Sequence, residues 1–359
     1  MKVGFLSVER QTVDMREAKI ALFDNGHSAE MFMTVNADGI DFALTQMRAV
    51  CDAIVIDGNT VAFYDTYKDT LSLRPDHFDL DGKLHSVTRE VTAEFLNDKF
   101  MPILNSKIKK RYAVMVFKTY GKSVTELQAM LKEYMNKKSK VQFGFFPEFL
   151  ECEVHARCAT NIAQDEMNII SSRLDGILGS CTYAYERVGI AERVAEMLKE
   201  EGLKLKIAES FTGGALGASF TALAGASEFL VEDVVTYSVT SKQKRLGVPL
   251  EVIAEKGAVS GDTAYSMAFG LMSSGDCDMA IATTGNAGPS AQSGAVGLCY
   301  IALGITSEKR IAVFKYMFDG DRACNIDSGV KNALFLLYGS LVAFKQKKSS
   351  QSAKAADAQ

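Results

Sequence analysis

A short apolar strand that ends in Ser and runs into Thr-Gly-Gly can present a hydroxyl beside unbonded backbone amides, and Ala208-Glu209-Ser210-Phe211-Thr212-Gly213-Gly214 has that order. Ser210 then stands at the carboxyl end of a strand, where open α/β sheets bind ligands. The N–H groups of a helix opening at Gly213 and Gly214 could stabilise an anion or an oxyanion. The same residues also describe an ordinary helix start, with Ser or Thr as N-cap and glycines for the tight turn, and pattern alone leaves both readings open. Glu209 reads either as a structural hydrogen-bond acceptor or as a site carboxylate.

Three further segments have the same strand-to-turn texture. Val235-Thr236-Tyr237-Ser238-Val239-Thr240-Ser241-Lys242 is an apolar strand ending in Tyr and Ser, followed by a short helix carrying Lys242. A lysine is a general base only where burial or a neighbouring cation depresses its pKa from about 10.4. With Lys244 and Arg245 beside it, Lys242 also fits a solvated helix face. In Ala282-Thr283-Thr284-Gly285-Asn286-Ala287-Gly288-Pro289 and Asp319-Gly320-Asp321-Arg322, Thr284 and Arg322 could orient a polar ligand, Arg through forked bonds to phosphate or carboxylate; each segment is equally readable as a turn.

The four histidines are His27, His77, His85 and His155, so nothing after residue 155 offers an imidazole. A Ser–His–Asp triad, a Cys–His pair and a His-ligated metal confined to the C-terminal region are excluded. Any hydrolysis there must use Lys, Tyr, Asp or Glu as proton acceptor. Cys152-Glu153-Val154-His155-Ala156-Arg157-Cys158 has the look of a metal comb, but its alternation along a strand, with no second Cys pair, reads as core cysteines.

The elements that must position these residues follow from length and pattern. The chain has 359 residues, 47% hydrophobic and 23% charged with 5 Pro, which suits two to three globular domains and excludes a disordered or collagen-like chain. A net charge of -4, from 40 Lys+Arg against 44 Asp+Glu, supplies no positive field for nucleic acid or acidic lipid. Seven Cys without regular spacing fit a reducing cytosol. The N-terminus lacks the apolar core of a signal peptide, and the apolar stretch Ala333 to Phe344 is too short to span a bilayer, so no membrane association is expected.

Alternating segments predict a doubly wound parallel α/β sheet in residues 1–105: strands at Lys2–Val8, Ala29–Val35 and Asp52–Asp57, helices at Met15–Asn25 and Asp38–Val50, a turn-rich stretch at Thr70–Lys83 and a helix near Val87–Lys99. Residues 106–187 predict a small α+β unit with strands at Tyr112–Tyr120, Val141–Phe146, Glu151–Arg157 and Thr182–Tyr185 and helices at Val124–Met135 and Asp165–Leu178. Residues 188–346 predict an α/β domain with a mixed sheet, closed by a helix from about Cys324 to Phe344, and residues 347–359 a disordered tail.

Taken in order, AESFTGG, VTYSVTSKQKRLGVP, EKGAVS, ATTGNAGP and FDGDR resemble the C-terminal domain of the CinA (competence/damage-inducible protein) family. Upstream, the middle region is similar to that family's KH-type connecting domain and the N-terminal region, more faintly, to its MoCF-type domain. The resemblance implies nicotinamide mononucleotide deamidation with a small-molecule nucleotide substrate, no cofactor, no metal, a cytoplasmic location and a homodimer. It implies Ser210 as nucleophile, Lys242 as its base and Tyr237 as a further catalytic residue, with Thr212, Gly213, Gly214, Thr284, Gly285, Asn286 and Arg322 contacting substrate. Phe211 stands where the family often has Cys, and Asn286 replaces the usual Ile of the TGIAGP turn.

The N-terminal region departs further. In place of the family's GGLGPT turn it has Ile56-Asp57-Gly58-Asn59-Thr60-Val61-Ala62, and in place of the early GTE turn Ser7-Val8-Glu9-Arg10, so a phosphate cradle is missing and a scaffold or dimerisation role is expected. The rival to an amidohydrolase is a nucleotide-binding or scaffold protein of the same family. Gly176-Ile177-Leu178-Gly179 formally fits the GxxG of nucleic-acid-binding KH domains, but its flanks Asp175 and Ser180 lack cations, which points to a helix end and against nucleic acid.

Overall fold

Val3 and Phe5 face one side of strand β1 (Lys2–Val8) and Leu6 and Val8 the other, and all four are fully buried because helices cover both faces of the sheet. In the computed structural model, which describes residues 1–9, 13–58, 77–80, 82–136, 139–291 and 294–356, the chain forms two compact units, Met1–Glu186 and Arg187–Gln359. The first unit begins with β1, α1 (Met15–Asp24), β2 (Ser28–Val35), α2 (Ile40–Val50), β3 (Ala53–Gly58), β4 (His77–Leu80) and β5 (Lys83–Thr88). Its sheet has the order β2-β1-β3-β5-β4, parallel except for the antiparallel edge strand β4. Ala18 and Leu22 of α1 close one core, and Leu44 and Met47 of α2 the other.

Two expectations for this sheet need correction. Lys83–Thr88 is a strand, so the helix expected near Val87–Lys99 starts later, as a π-helical turn over Phe95–Phe100 that continues into α3 (Met101–Ser106). The strand was hard to read because buried His85 and Ser86 interrupt its apolar pattern. Of the turn-rich stretch, residues 77–80 form β4, while 70–76, 81 and the Asn59-Thr60-Val61-Ala62 segment lie outside the described residues.

A second sheet, antiparallel throughout in the order β7-β8-β6-β9, is built from β6 (Tyr112–Tyr120), β7 (Val141–Glu148), β8 (Glu151–Ala159) and β9 (Thr182–Ala184), with α4 (Val124–Met130) and α5 (Gln164–Leu178) beside it. Strand periodicity divides β8 in two. Cys152, Val154, Ala156 and Cys158 enter the core with Leu174 and Leu178, whereas Glu153, His155 and Arg157 turn to the first sheet's α1. There Arg16 donates to Glu153 at 2.6 Å, His155 bridges Asp24 (2.6 Å) and Glu153 (2.7 Å), and the Arg157 guanidinium lies 4.1 Å from the Phe23 ring centre. These contacts join the two sheets into one unit. Gly176 and Gly179 sit at the end of α5, a helix terminus as their flanks imply.

The second unit contains α6 (Ile190–Glu201), β10 (Leu205–Glu209), α7 (Ala215–Thr221), β11 (Leu230–Val235), α8 (Val239–Leu246), α9 (Leu250–Lys256), α10 (Gly261–Ser273), β12 (Met279–Gly285), β13 (Leu298–Ile305), β14 (Arg310–Met317) and α11 (Arg322–Ala356). Its mixed sheet has the order β11-β10-β12-β13-β14: β11, β10 and β12 are parallel, β13 and β14 antiparallel. Ala208, Ala280, Ala282 and Ala302 keep one face flat, which lets Ala264, Met267, Ala268 and Leu271 of α10 pack closely on it. The polar stretch from 347, which composition marks as a disordered tail, instead prolongs α11 to Ala356. Its Lys, Gln, Ser and Ala residues are compatible with helix, and Lys345 and Lys348 pair with Glu200 (2.5 Å) and Glu201 (2.6 Å) at the end of α6. No helix among the described residues is long and apolar enough to cross a membrane.

Candidate functional site

β10 and β12 are central strands that end side by side, and the turns leaving them meet the turn that leaves β11. The first turn begins at Glu209, whose fully buried carboxylate accepts from the amides of Gly214 (2.7 Å), Leu216 (3.3 Å) and Gly217 (2.6 Å). A carboxylate on the amino end of α7 satisfies its orphan donors and complements its dipole. Gly213 and Gly214 have φ of +64° and +102°, which L side chains rarely adopt, so the tight return from Ser210 into α7 requires glycine.

The β11 strand is tied to the same point. Thr236 N–H donates to the Glu209 carbonyl at 2.7 Å, which fixes where the chain turns towards α8. Ser238 caps α8 by accepting from Ser241 N–H, and Lys242, on its first turn, is directed inward. The Lys242 side chain is 2% exposed and donates to Ser210 Oγ at 2.8 Å and to the Thr236 carbonyl at 2.7 Å. Among the described residues no carboxylate is within ion-pair distance of it. Burial therefore acts unopposed and pulls its pKa down to about 8.

Ser210 and Lys242 line a cavity of about 200 Å³ with Phe211, Tyr237, Ala258, Val259, Thr284, Gly285, Asn286 and Arg322. Thr284 Oγ1 donates to the Ala258 carbonyl at 2.7 Å, holding the Glu255-Lys256-Gly257-Ala258-Val259-Ser260 segment against β12. The Asn286 side chain turns back to the Ala295 carbonyl at 3.3 Å, while its backbone pairs with Leu298 and Gly297. At the mouth, Arg322 donates to the Gly288 carbonyl at 2.8 Å and approaches the Tyr237 hydroxyl at 3.4 Å; Tyr237 is 65% exposed.

The structure thus gathers Ser210, Lys242, Tyr237, Thr284, Gly285, Asn286 and Arg322 around one pocket, while Thr212, Gly213 and Gly214 are outside its lining. Thr212 is buried and shares a hydrogen bond of 2.8 Å with Thr283, itself 3.5 Å from the Ser210 amide. Gly213 and Gly214 do not line the pocket, and the Gly214 amide is already given to Glu209. The amides of Phe211, Thr212 and Gly213 make no hydrogen bond among the described residues, so oxyanion donors would come from there. The sequence reading did not single out Asn325, whose buried amide donates to the Ala287 and Gly320 carbonyls at 3.0 and 2.9 Å and binds the β12 turn to the start of α11. Its only signal was its place three residues after Arg322.

Residues 188–341 match the family model for the CinA C-terminal domain. A CinA-like protein from Citrifermentans bemidjiense is 27% identical over 395 residues, covering 91% of this chain and 94% of that protein. A CinA-like protein from Geotalea daltonii is 36% identical over 235 residues, covering 63% of this chain and 56% of that protein, so the match spans just over half of the relative's length. The solved structure of competence damage-inducible protein A from Klebsiella pneumoniae subsp. pneumoniae MGH 78578 is 32% identical, covering 43% of this chain and 95% of that chain, with a TM-score of 0.41.

Proposed function

We propose, from the premise that this chain belongs to the CinA family through its C-terminal domain, that the second unit hydrolyses the carboxamide of nicotinamide mononucleotide to nicotinate mononucleotide and ammonia. One observation carries the reading: a buried lysine with no carboxylate partner among the described residues lies 2.8 Å from a serine hydroxyl at the carboxyl ends of parallel strands. A buried ammonium without a counter-ion gains by losing its proton, and the neutral amine is then a base within reach of Ser210 Oγ.

Ser210 Oγ attacks the carboxamide carbon while Lys242 takes the hydroxyl proton, and the amides of Phe211 to Gly213 receive the developing oxyanion. Lys242 returns that proton to the departing nitrogen, which leaves as ammonia. Water, deprotonated by the same amine, then attacks the acyl-serine carbonyl, and Lys242 passes that proton to the departing Ser210 Oγ, which frees the nicotinate acid and restores the enzyme. A cavity of about 200 Å³ encloses a single planar ring, and Arg322 with Tyr237 at its mouth would hold the substrate's phosphate.

The test is ammonia release by the purified protein from nicotinamide mononucleotide, with free nicotinamide for comparison. Turnover of the nucleotide and little of the free base is the expected result. Binding of the nucleotide with no ammonia would favour the rival reading of a binding protein.

A further inference from the structure

Glu209 has a neighbour that the reaction above does not use. Asp233 lies on β11 opposite Ile207 of β10, two residues before the pair Glu209–Val235, which puts both carboxyl groups on the same face of adjacent parallel strands. The two meet at Gly217, whose amide donates to Glu209 at 2.6 Å and whose missing side chain leaves the space that Asp233 Oδ2 occupies. Asp233 Oδ1 is buried with no partner, and Oδ2 is so close to α7 that a Cβ on Gly217 would be 1.9 Å from it. Gly217 thereby makes room for the acid.

Two ionised carboxylates are acceptors only, so a hydrogen bond between them needs a proton. Its location follows from the donors. Glu209 already receives three amide N–H groups, which stabilise a carboxylate, whereas Asp233 receives none. We propose that Asp233 is a positioning residue that holds one proton against Glu209, and that this carboxyl–carboxylate pair keeps Glu209 on the amides at 214, 216 and 217 and so fixes the Ser210 turn. Burial, followed by the Glu209 charge, raises the Asp233 pKa to about 7.

Among the described residues, the surroundings offer no cation to relieve the pair. Helix α7, packed over it, has no titratable side chain from Ala215 to Thr221. On the two strands the other charged residues are Lys206 and Glu232, which fall on the opposite face and approach each other at 3.9 Å. Lys199 of α6 is occupied by Glu228 and the Ala224 carbonyl. Above neutrality Asp233 loses its proton, the two carboxylates repel, and the turn loosens.

Hydrogen exchange at the amides of Gly214, Leu216 and Gly217 in the full chain tests this without reference to any reaction. After correction for intrinsic exchange, wild-type protection should fall at least tenfold between pH 6 and pH 9, and Asp233→Asn, which keeps the shape and supplies a permanent donor, should remove that fall. Asp233→Ala gives a second reading: protection that is lower throughout and flat with pH. Equal pH dependence in wild type and both variants would overturn the proposal, as would a wild type whose protection does not change. The kinetic arm rests on the deamidase reading: kcat/KM should decline on the alkaline side in wild type and not in Asp233→Asn. If no ammonia is released at all, that reading fails while the exchange result still decides this one.

Discussion

Both units bury lysines, and Lys118 of the first and Lys242 of the second meet opposite neighbours. Lys118 on β6 is 7% exposed and faces Glu153 at 3.6 Å and Glu151 at 4.0 Å, in a cluster extended by Arg16, His155 and the Tyr183 hydroxyl. Lys242 is 2% exposed and, among the described residues, faces a serine hydroxyl and a backbone carbonyl. Burial is common to both, so burial does not make a base. Carboxylate neighbours make Lys118 part of a structural ion-pair cluster, whereas neutral oxygens leave the desolvation of Lys242 unopposed and yield an amine that can accept a proton.

Replacing each lysine by Met puts that contrast to its strongest test. Lys242→Met keeps the apolar stem and removes the amine, so ammonia release from nicotinamide mononucleotide should fall by about 10³-fold or more, and Ser210→Ala should do the same. The double variant should be scarcely worse than either, because the two act as one unit. In Asp233→Asn, where the alkaline decline is absent, kcat/KM should rise with pH through an ionisation near 8, since the productive lysine is neutral. Near wild-type turnover in Ser210→Ala would sink the mechanism.

Lys118→Met should leave that turnover unchanged and instead destabilise the first unit by roughly 3 kcal/mol, the scale for stripping one partner from a buried ion pair. Denaturant unfolding followed by a probe in the first unit reads this. A loss of activity in Lys118→Met with stability intact would break the comparison.

A smaller effect is expected at His155, which joins the two sheets of the first unit. Burial opposes its charge, but hydrogen bonds to Asp24 and Glu153 outweigh burial and raise its pKa above 6.5. The folded state then binds the proton more tightly than the unfolded chain. Its stabilising contribution is complete below the unfolded value and is lost as pH rises through the higher folded one. Exchange protection of α1 amides should therefore decrease from pH 6 to 9, and His155→Gln should flatten the curve. A curve that keeps its slope in the variant would assign the pH dependence elsewhere.

The sequence made the sheets legible where apolar residues alternate, as in β1, and the site legible where strands end in Gly, Ser and Thr. Ser210 and Lys242 could be placed at strand ends before any geometry, but the contact between them depends on β11 pairing with β10, which no local pattern encodes. Glu209 was open between two roles until its three amide partners were visible. The Gly214 amide shows the same gap between pattern and geometry: a turn rich in donors looks like a ligand site whether or not a side chain of the protein already occupies those donors. Asp233 belongs to no motif, and only the space left by Gly217 makes it evident.

The smallest effect is expected from removing one unit altogether. Every residue lining the pocket falls between Ser210 and Arg322, and the second unit has its own sheet and its own core in Ala208, Met267, Leu271 and Ala282. Residues 187–359 expressed alone should therefore fold and deaminate the amide within about twofold of the full chain, the scatter expected of distant, uncoupled sites. Cutting the fragment back to Gln346 removes the Lys347–Glu308 and Lys348–Glu201 pairs but keeps Lys345–Glu200. Exposed pairs of this kind are worth about 0.2–1 kcal/mol each, so melting should fall by no more than about 8 °C. A fragment that is well folded yet inactive, beside an active full chain, would show that the first unit supplies something to the site and that Lys118 and Lys242 do not belong to separable machines.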